Sequence, residues 1–313
     1  MNELPSLFLE RLEKILPPEH FERTLKNFSD PNQLLSIRIN SLKIRKEEII
    51  PILRNNSIEF KEVPWYEDAL TISNLSKREL QNADFLSKGY VYIQGLSSML
   101  PPLVLFPQPG EDILDMCAAP GSKTTQMASL MRNQGRILSL ENIRDRYYKL
   151  RAVVKGLGAT MVECKLVDAR KFRPQHFFDK VLVDVPCSSE GRFKVSDPKT
   201  FAYWSLRKIK EMVHKQKGIL HNACRLVKPG GAVVYSTCTF APEENEGVVD
   251  WVLKKMKGII QIEPIPLAHP FKTCPAVSQW QGKTFAPQIK NCLRILPDET
   301  MEGFFIAKLW KLV

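Results

Sequence analysis

The stretch EDILDMCAAPGSKTTQ (residues 111–126) decides the fold of this chain. Its first six residues are predicted to form a buried strand, and a helix is predicted to follow from Ser122. Small residues in the connecting loop let a ligand approach the backbone closely, and the helix presents free N–H groups to a carboxylate. The stretch contains neither G-x-G-x-x-G nor G-x-x-x-x-G-K-[ST], so it argues against a dinucleotide site or a Walker-type phosphate site.

From about residue 91 onward, predicted strands alternate with predicted helices. This order implies βαβ units and an α/β fold with a parallel sheet that is covered by helices on both faces. The final segment, GFFIAKLW (303–310), is predicted to be an antiparallel strand at the edge of that sheet. The other predicted strands are 111–116, 136–141, 159–166, 180–185 and 232–237, and the predicted helices are 122–131, 144–157 and 205–227.

The first 90 residues follow a different pattern. Apolar residues spaced by three and four predict a helix over 4–28, and a strand–helix–strand–strand unit follows, with Pro51 in the first turn of its helix or kinking it. A chain of 313 residues suggests about two domains. The predicted organisation is therefore a helical segment (1–28), a small α/β accessory domain (29–90) and a larger domain (91–313).

The composition indicates a globular protein with a polyanionic partner. The chain is 44% hydrophobic and 25% charged, which excludes a mostly disordered chain, a collagen-like chain and a small disulfide scaffold. The net charge is +11, and residues 144–217 hold 18 basic against 8 acidic side chains, whereas residues 1–90 are slightly acidic. Such a basic stripe is typical of nucleic-acid binding, although a solvated basic face is the alternative.

The cysteines and histidines point to neither a disulfide framework nor a metal site. The seven cysteines include no C-x-x-C pair, and the amphipathic but acidic N-terminus is unlike a signal or transit peptide. The five histidines show no ligand spacing, so no metal is predicted. The longest uncharged run contains four prolines and is a poor membrane span. We therefore expect a cytoplasmic protein with reduced thiols and no membrane association.

Acidic residues and cysteines stand at the ends of successive predicted strands, where α/β sheets bind their ligands. Glu141 ends the second strand and is placed to hold a ribose diol, and Asp168 and Asp184 close the next two. Each acid alone could be a helix cap or a surface charge. Cys187 and Cys238 follow the fourth and fifth strands in polar turns, where a thiol can become a thiolate nucleophile.

Together these motifs resemble the Sun family of S-adenosylmethionine-dependent RNA cytosine-5 methyltransferases. The resemblance covers roughly residues 30–313, and the cysteines 51 residues apart behind consecutive strands are its most specific part. It implies a Rossmann-like class I methyltransferase sheet and a small N-terminal domain similar to an RNA-recognition domain. The motifs that carry it are YIQGLSSM (92–99), DMCAAPGSKT (115–124), DVPCS (184–188), and YSTCT (235–239) followed by ENE (244–246).

The resemblance also implies roles for individual residues. Cys238 would be the nucleophile that adds to cytosine carbon 6, and Cys187 would assist its release, as or through the base. Asp184 would hydrogen-bond the cytosine edge, and Lys123 is the remaining catalytic candidate. The implied S-adenosylmethionine-binding residues are Cys117, Ala118, Ala119, Pro120, Gly121, Ser122 and Lys123 around the methionine part, Glu141 at the ribose, Asp168 at the adenine, with Arg146 and Asp184 supporting the pocket.

Two positions depart from the commonest family pattern. Ser189 stands where glycine is frequent, and Gly95 stands where an acidic residue is frequent. The N-terminal unit lacks an aromatic RNP-like sequence, so base stacking is not predicted there. A DNA cytosine-5 methyltransferase and a non-catalytic RNA-binding protein are the alternatives; the Thr-Cys motif disfavours the first and the intact thiols the second.

The expected partner is RNA, with tRNA favoured over rRNA because the chain is compact, and the expected state is a monomer. The basic side chains predicted to lie along the RNA backbone flank the Cys187 loop. They are Lys171, Arg173, Arg192, Lys194, Lys199, Arg207 and Lys208.

Overall fold

The computed structural model describes residues 3–30, 34–266 and 271–313. The first two helices are α1 (Ser6–Ile15) and α2 (Pro18–Ser29). The single helix predicted over 4–28 is therefore wrong, because Pro17 and Pro18 break it and Pro18 sits in the first turn of α2. The apolar face of α1 packs on the larger domain, where the Phe8 and Phe193 rings lie 4.9 Å apart.

The small domain is built on a four-stranded antiparallel sheet. From edge to edge, its strands are Phe60–Glu62, Ala69–Ile72, Leu35–Ile39 and Val91–Ile93. Pro51 is the sixth residue of its longest helix and not in the first turn. The strand Val91–Ile93 pairs with Leu35–Ile39, so the sheet extends past the expected boundary at residue 90. The elements are β1 (Leu35–Ile39), α3 (Lys46–Asn55), β2 (Phe60–Glu62), β3 (Ala69–Ile72), α4 (Lys77–Gln81), α5 (Asp84–Ser87) and β4 (Val91–Ile93).

The larger domain has the predicted alternation of strands and helices as far as its fifth strand. Its elements are α6 (Leu96–Leu105), β5 (Asp112–Asp115), α7 (Ser122–Leu130), β6 (Arg136–Glu141), α8 (Arg144–Gly156), β7 (Val162–Leu166), β8 (Phe178–Asp184), α9 (Leu206–Leu226), β9 (Val227–Thr237), α10 (Glu246–Lys255), β10 (Ile260–Glu263), β11 (Thr273–Cys274), β12 (Gln279–Trp280), β13 (Lys283–Thr284), β14 (Leu293–Ile295) and β15 (Phe304–Lys311).

Five parallel strands, in the order β7-β6-β5-β8-β9, form the centre of the large sheet. The last strand, β15, pairs antiparallel with β9 as predicted, but it does not lie at the edge, because β14 and β10 both pair with it. Two hydrophobic clusters, one containing Leu114 and Val183 and the other Ile113 and Leu182, cover opposite faces of the sheet. The architecture is thus a Rossmann-like sheet with helices on both faces.

One buried arginine joins the two domains. Arg38 of β1 donates hydrogen bonds to the Gln94 side chain and the Ser122 carbonyl at 2.6 Å each, and to the Thr125 hydroxyl at 2.9 Å. Its side chain is fully buried. Because removal of one partner would leave a buried charge unpaired, this contact holds the small sheet against the start of α7.

No helix in the described part of the chain is both long enough and apolar enough to cross a membrane.

Candidate active site

The carboxyl ends of β5, β8 and β9 meet at a cleft of about 430 Å³. Parallel strands place these ends at one edge of the sheet, which is where α/β proteins bind ligands. Ten of the thirteen residues predicted for the site line this cleft: Cys117, Ala118, Ala119, Pro120, Ser122, Lys123, Arg146, Asp184, Cys187 and Cys238. The three others are Gly121, Glu141 and Asp168.

Gly121 lies behind the cleft. Its φ of +113° is in the region that favours glycine, and a Cβ there would contact Val153 and Leu150 of α8 at 3.1–3.3 Å. Gly121 therefore allows the loop to turn tightly into α7 while α8 packs against it.

The two predicted cysteines are in contact. Cys187 Sγ and Cys238 Sγ lie 3.3 Å apart in the cleft. The hydrogen bond from Cys187 lowers the pKa of the Cys238 thiol, and the same bond, together with burial, raises the pKa of Cys187 well above its ordinary value. Cys238 is therefore the more readily ionised thiol of the pair.

Backbone hydrogen bonds of Gly191 and Gly303 place an ion pair next to Cys238. The Gly191 N–H donates to the Cys238 carbonyl at 2.9 Å, and the Gly303 N–H donates to the Gly191 carbonyl at 3.1 Å. A Cβ at Gly191 would overlap the Gly303 carbonyl, so the approach requires glycine. The neighbouring residues, Arg192 and Glu302, line the cleft and form an ion pair at 3.2 Å.

Arg192 and Glu302 are expected to shift the reactivity of Cys238 in opposite directions. Arg192→Gln should raise the pKa of Cys238 because it removes a cation that stabilises the thiolate, and Glu302→Gln should lower it. The measurement is the pH dependence of iodoacetamide alkylation of the Cys238 peptide, with Arg54→Gln, an exposed arginine of α3, as control. Shifts of the same sign in both variants would contradict the assignment.

Asp184 is held in place from two sides. Its Oδ2 lies 2.7 Å from Lys123 Nζ, and its Oδ1 accepts a hydrogen bond from the Ser236 hydroxyl at 2.7 Å. Lys123 in turn donates to the Ser98 hydroxyl at 2.7 Å. The carboxylate is partly exposed to the cleft, so it can accept hydrogen bonds from a ligand without breaking these contacts.

Glu141 and Asp168 line a smaller cavity of about 60 Å³, together with Cys117 and Arg146, both of which also line the main cleft. Glu141 accepts hydrogen bonds from the N–H groups of Asn142 and Ile143 at 2.9 Å each. Asp168 pairs with Arg170 at 2.6 Å, and this contact lowers the pKa of its carboxyl group. The predicted residues thus occupy two adjacent cavities.

Comparisons with known proteins match both domains. A family model described as 16S rRNA methyltransferase RsmB/F matches residues 102–310, and one described as the N-terminal domain of 16S rRNA methyltransferase RsmF matches residues 4–96. A tRNA (cytosine(49)-C(5))-methyltransferase of Pyrococcus abyssi is 38% identical over 309 residues, which cover 97% of this chain and 95% of that protein. The chain belongs to the Sun family of RNA cytosine-5 methyltransferases.

Other Sun-family relatives are longer or have been solved as structures. Ribosomal RNA small subunit methyltransferase F of Shewanella sp. (strain MR-7) is 38% identical over 283 residues, which cover 88% of this chain but only 56% of that protein. The crystal structure of a methyltransferase homologue from Pyrococcus horikoshii has a TM-score of 0.83 at 31% identity, covering 99% of this chain and 95% of that one. The fold and family inferred from the motifs are confirmed.

The Sun family uses S-adenosylmethionine, and the two cavities fit that molecule. The methionine part carries an ammonium group, and Asp115 offers a buried carboxylate at the edge of the main cleft. Its Oδ2 accepts from Thr124 at 2.6 Å, while Oδ1 has no hydrogen-bond partner among the described residues. Burial raises the pKa of Asp115 to about 6, so a cation there would favour its ionised form. Glu141 and Asp168, which are predicted to bind the ribose and the adenine, line the smaller cavity.

Asp115 was not predicted as a site residue, although it ends β5 as Asp184 ends β8. Glu244 was not predicted either, and it accepts hydrogen bonds from the Ser188 N–H at 3.1 Å and from Gln216 at 2.7 Å. Burial raises the pKa of Glu244 to about 8. In the sequence, Glu244 was noted only as part of the ENE motif (244–246), and the resemblance implied no role for its carboxylate.

Both positions that depart from the commonest Sun-family pattern line the reactive cleft. Ser189 has a φ of +61°, in the left-handed region that favours glycine, and its hydroxyl lies 3.6 Å from Cys238 Sγ. At Gly95, a Cβ would lie 3.8–4.0 Å from the Glu302 carboxylate. The Glu302 carboxylate, from a distant part of the chain, thus borders position 95, where an acidic residue is frequent in the Sun family.

Proposed function

We propose that this chain transfers a methyl group from S-adenosylmethionine to carbon 5 of a cytosine in tRNA. The observation that carries the reaction is the pair of thiols, 3.3 Å apart, in a cleft that also contains Asp184 and Lys123. The choice of tRNA is supported by the match to the Pyrococcus abyssi tRNA enzyme, which extends over 97% of this chain, whereas the match to the Shewanella rRNA enzyme extends over 88%.

In the proposed reaction Cys238 activates the cytosine by covalent addition, and Cys187 helps to release the methylated base. Carbon 5 of cytosine is a weak nucleophile, and addition of the Cys238 thiolate to carbon 6 turns the ring into an enamine that can accept a methyl group. S-adenosylmethionine supplies that methyl group as an electrophile. Loss of the carbon 5 proton then re-forms the ring double bond and expels the Cys238 thiolate, a step in which Cys187, as or through the base, takes part.

Asp184 and Lys123 orient and polarise the cytosine in this proposal. The free lone pairs of Asp184 accept hydrogen bonds from the cytosine edge and favour a ring protonated at nitrogen 3, which accepts the thiolate more readily. Lys123, with its Nζ 2.7 Å from Asp184 Oδ2, holds the carboxylate in position. The target base must leave its stack, because the enzyme needs both faces of the carbon 5–carbon 6 bond.

Bisulfite sequencing of total RNA with and without the protein is the experiment that tests this function. A protein-dependent 5-methylcytosine in tRNA supports the proposal, and one confined to rRNA selects the alternative substrate, which the Shewanella relative favours. If neither RNA gains a methylated cytosine while the folded protein still binds RNA, the chain is a non-catalytic relative. The cytoplasm as its location and a monomer as its state stay predictions.

Asp168→Ala is expected to weaken binding of S-adenosylmethionine about 10- to 100-fold, because the variant removes a charged hydrogen-bond acceptor from the smaller cavity. RNA affinity should change much less. Titration calorimetry with the methyl donor and filter binding with RNA separate the two effects. Asp145→Ala, an exposed acid in the first turn of α8, is the matched control. An unchanged affinity for the methyl donor would exclude Asp168 from the cofactor site.

A further inference from the structure

A second cleft, of about 520 Å³, opens directly from the reactive cleft. It runs between the small sheet and the loops of the larger domain around residues 189–200 and 299–302. The two clefts share six lining residues, which are Lys77, Ile93, Gly95, Ser189, Arg192 and Glu302. The two clefts are therefore adjacent.

The walls of the second cleft are fixed by hydrogen bonds between and within the domains. The Leu34 N–H donates to the Glu299 carbonyl at 3.0 Å, which joins the start of β1 to the 299–302 loop. On the opposite wall, the Lys194 N–H donates to the Thr200 hydroxyl at 3.0 Å. Neither bond uses the charged groups of Lys77, Lys194 or Glu299, whereas the Asp197 carboxylate also accepts a hydrogen bond from the Lys199 N–H at 3.3 Å.

The charges of the second cleft match the two ends of a nucleotide. Within the described part of the chain, Lys77 and Lys194 form no ion pair, and the carboxylates of Asp197 and Glu299 form none either. Arg192 and Glu302, in contrast, neutralise each other. Unpaired ammonium groups bind phosphate, and unpaired carboxylates accept hydrogen bonds from the N–H groups of a base.

We infer that the second cleft binds the nucleotide next to the target cytosine, with Lys77 and Lys194 on its phosphates and Asp197 and Glu299 facing its base. The inference rests on the proposed function. When the target base is extruded, its neighbour loses a stacking partner, and one backbone linkage separates the two. Proteins read such unstacked bases along their hydrogen-bonding edges. The small domain would thus take part in choosing the sequence around the target.

The test of base recognition uses RNA in which the wild-type enzyme methylates one known cytosine. Abasic sites are placed singly on its 5′ side, on its 3′ side and five nucleotides away, and kcat/KM is measured for each. An abasic site at one adjacent position should lower kcat/KM about tenfold, and the distant site should have little effect. Equal values for all three RNAs would overturn the inference while leaving the proposed function intact.

The test of phosphate binding uses the lysines. Lys77→Gln and Lys194→Gln should each weaken RNA binding and reduce the salt dependence of the binding constant by about 0.7 in log–log slope for each phosphate that the variant no longer neutralises. The matched control is Lys61→Gln, an exposed lysine at the opposite edge of the small sheet. Unchanged slopes in both variants would overturn the inference. If the wild-type enzyme methylated no RNA, the proposed function would fail, and the inference with it.

Discussion

Cys187→Ala is expected to accumulate a covalent protein–RNA adduct, while Cys238→Ala forms none. In Cys187→Ala the Cys238 thiolate still adds to the cytosine, but the elimination that releases it is slowed, and turnover should fall about 10²- to 10⁴-fold. Cys238→Ala removes the nucleophile itself and should lower turnover by roughly 10⁴-fold or more. The adduct is measured as a slower band on a denaturing gel with radiolabelled RNA.

The hydrogen bond between the two thiols predicts that adduct formation by Cys187→Ala also depends on pH. Because the Cys187 hydrogen bond lowers the pKa of Cys238, its removal should also raise the pH at which the adduct forms. Adduct formation should therefore be measured over a range of pH. Cys164→Ala, a half-buried cysteine of β7 outside the reactive cleft, is the matched control and should behave as wild type. A stable adduct in Cys238→Ala and none in Cys187→Ala would reverse the two roles.

Asp184→Asn is expected to lower methyl transfer about 10²- to 10⁴-fold while the protein stays folded. The asparagine keeps the size of the side chain and can still accept from Ser236, but it lacks the charge that favours the protonated cytosine. The substitution also leaves Lys123, which is largely buried, without its carboxylate partner. The measurement is single-turnover methyl transfer at saturating RNA and S-adenosylmethionine.

A control for Asp184→Asn lies on the same strand. Asp179 lies near the other end of β8 and forms an ion pair with Lys228 at 2.6 Å, so Asp179→Asn removes an equivalent charge outside the cleft. Combining Asp184→Asn with Cys187→Ala identifies the step affected. The double variant should form the adduct much more slowly than Cys187→Ala alone. An unchanged rate of adduct formation would show that Asp184 acts after the addition step.

Periodicity and turn residues were sufficient to predict the central fold. The strand 136–141 was predicted with the bounds that the structure has, and the helices after residues 121, 143 and 205 begin within one residue of the predicted positions. The strand is buried from Ile137 to Glu141, and α8 and α9 bury residues at helical spacing, so periodicity identifies these elements. The N-terminal helix pair was predicted less well because two prolines interrupt a pattern that otherwise continues.

The order of strands beyond β9 could not be predicted from the sequence. GFFIAKLW indicates a strand, but nothing in it shows that β14 and β10 would pair with it and move it away from the edge. The pairing of Val91–Ile93 with the small sheet could not be predicted for the same reason. Val91–Ile93 is a short apolar run, and only its pairing with β1 assigns it to the small sheet.

Two cysteines and three acids follow consecutive strands, and parallel strands bring their carboxyl ends together, so the residue pattern was enough to indicate this chemistry. The folded structure sets which of the two thiols ionises more readily. That depends on the contact between Cys187 and Cys238 and on Arg192 and Glu302, which reach the thiols through Gly191 and Gly303. Glu302 lies 64 residues after Cys238 along the chain, and no spacing rule predicts such a contact. Electrostatic effects depend on distance in space, and packing sets that distance.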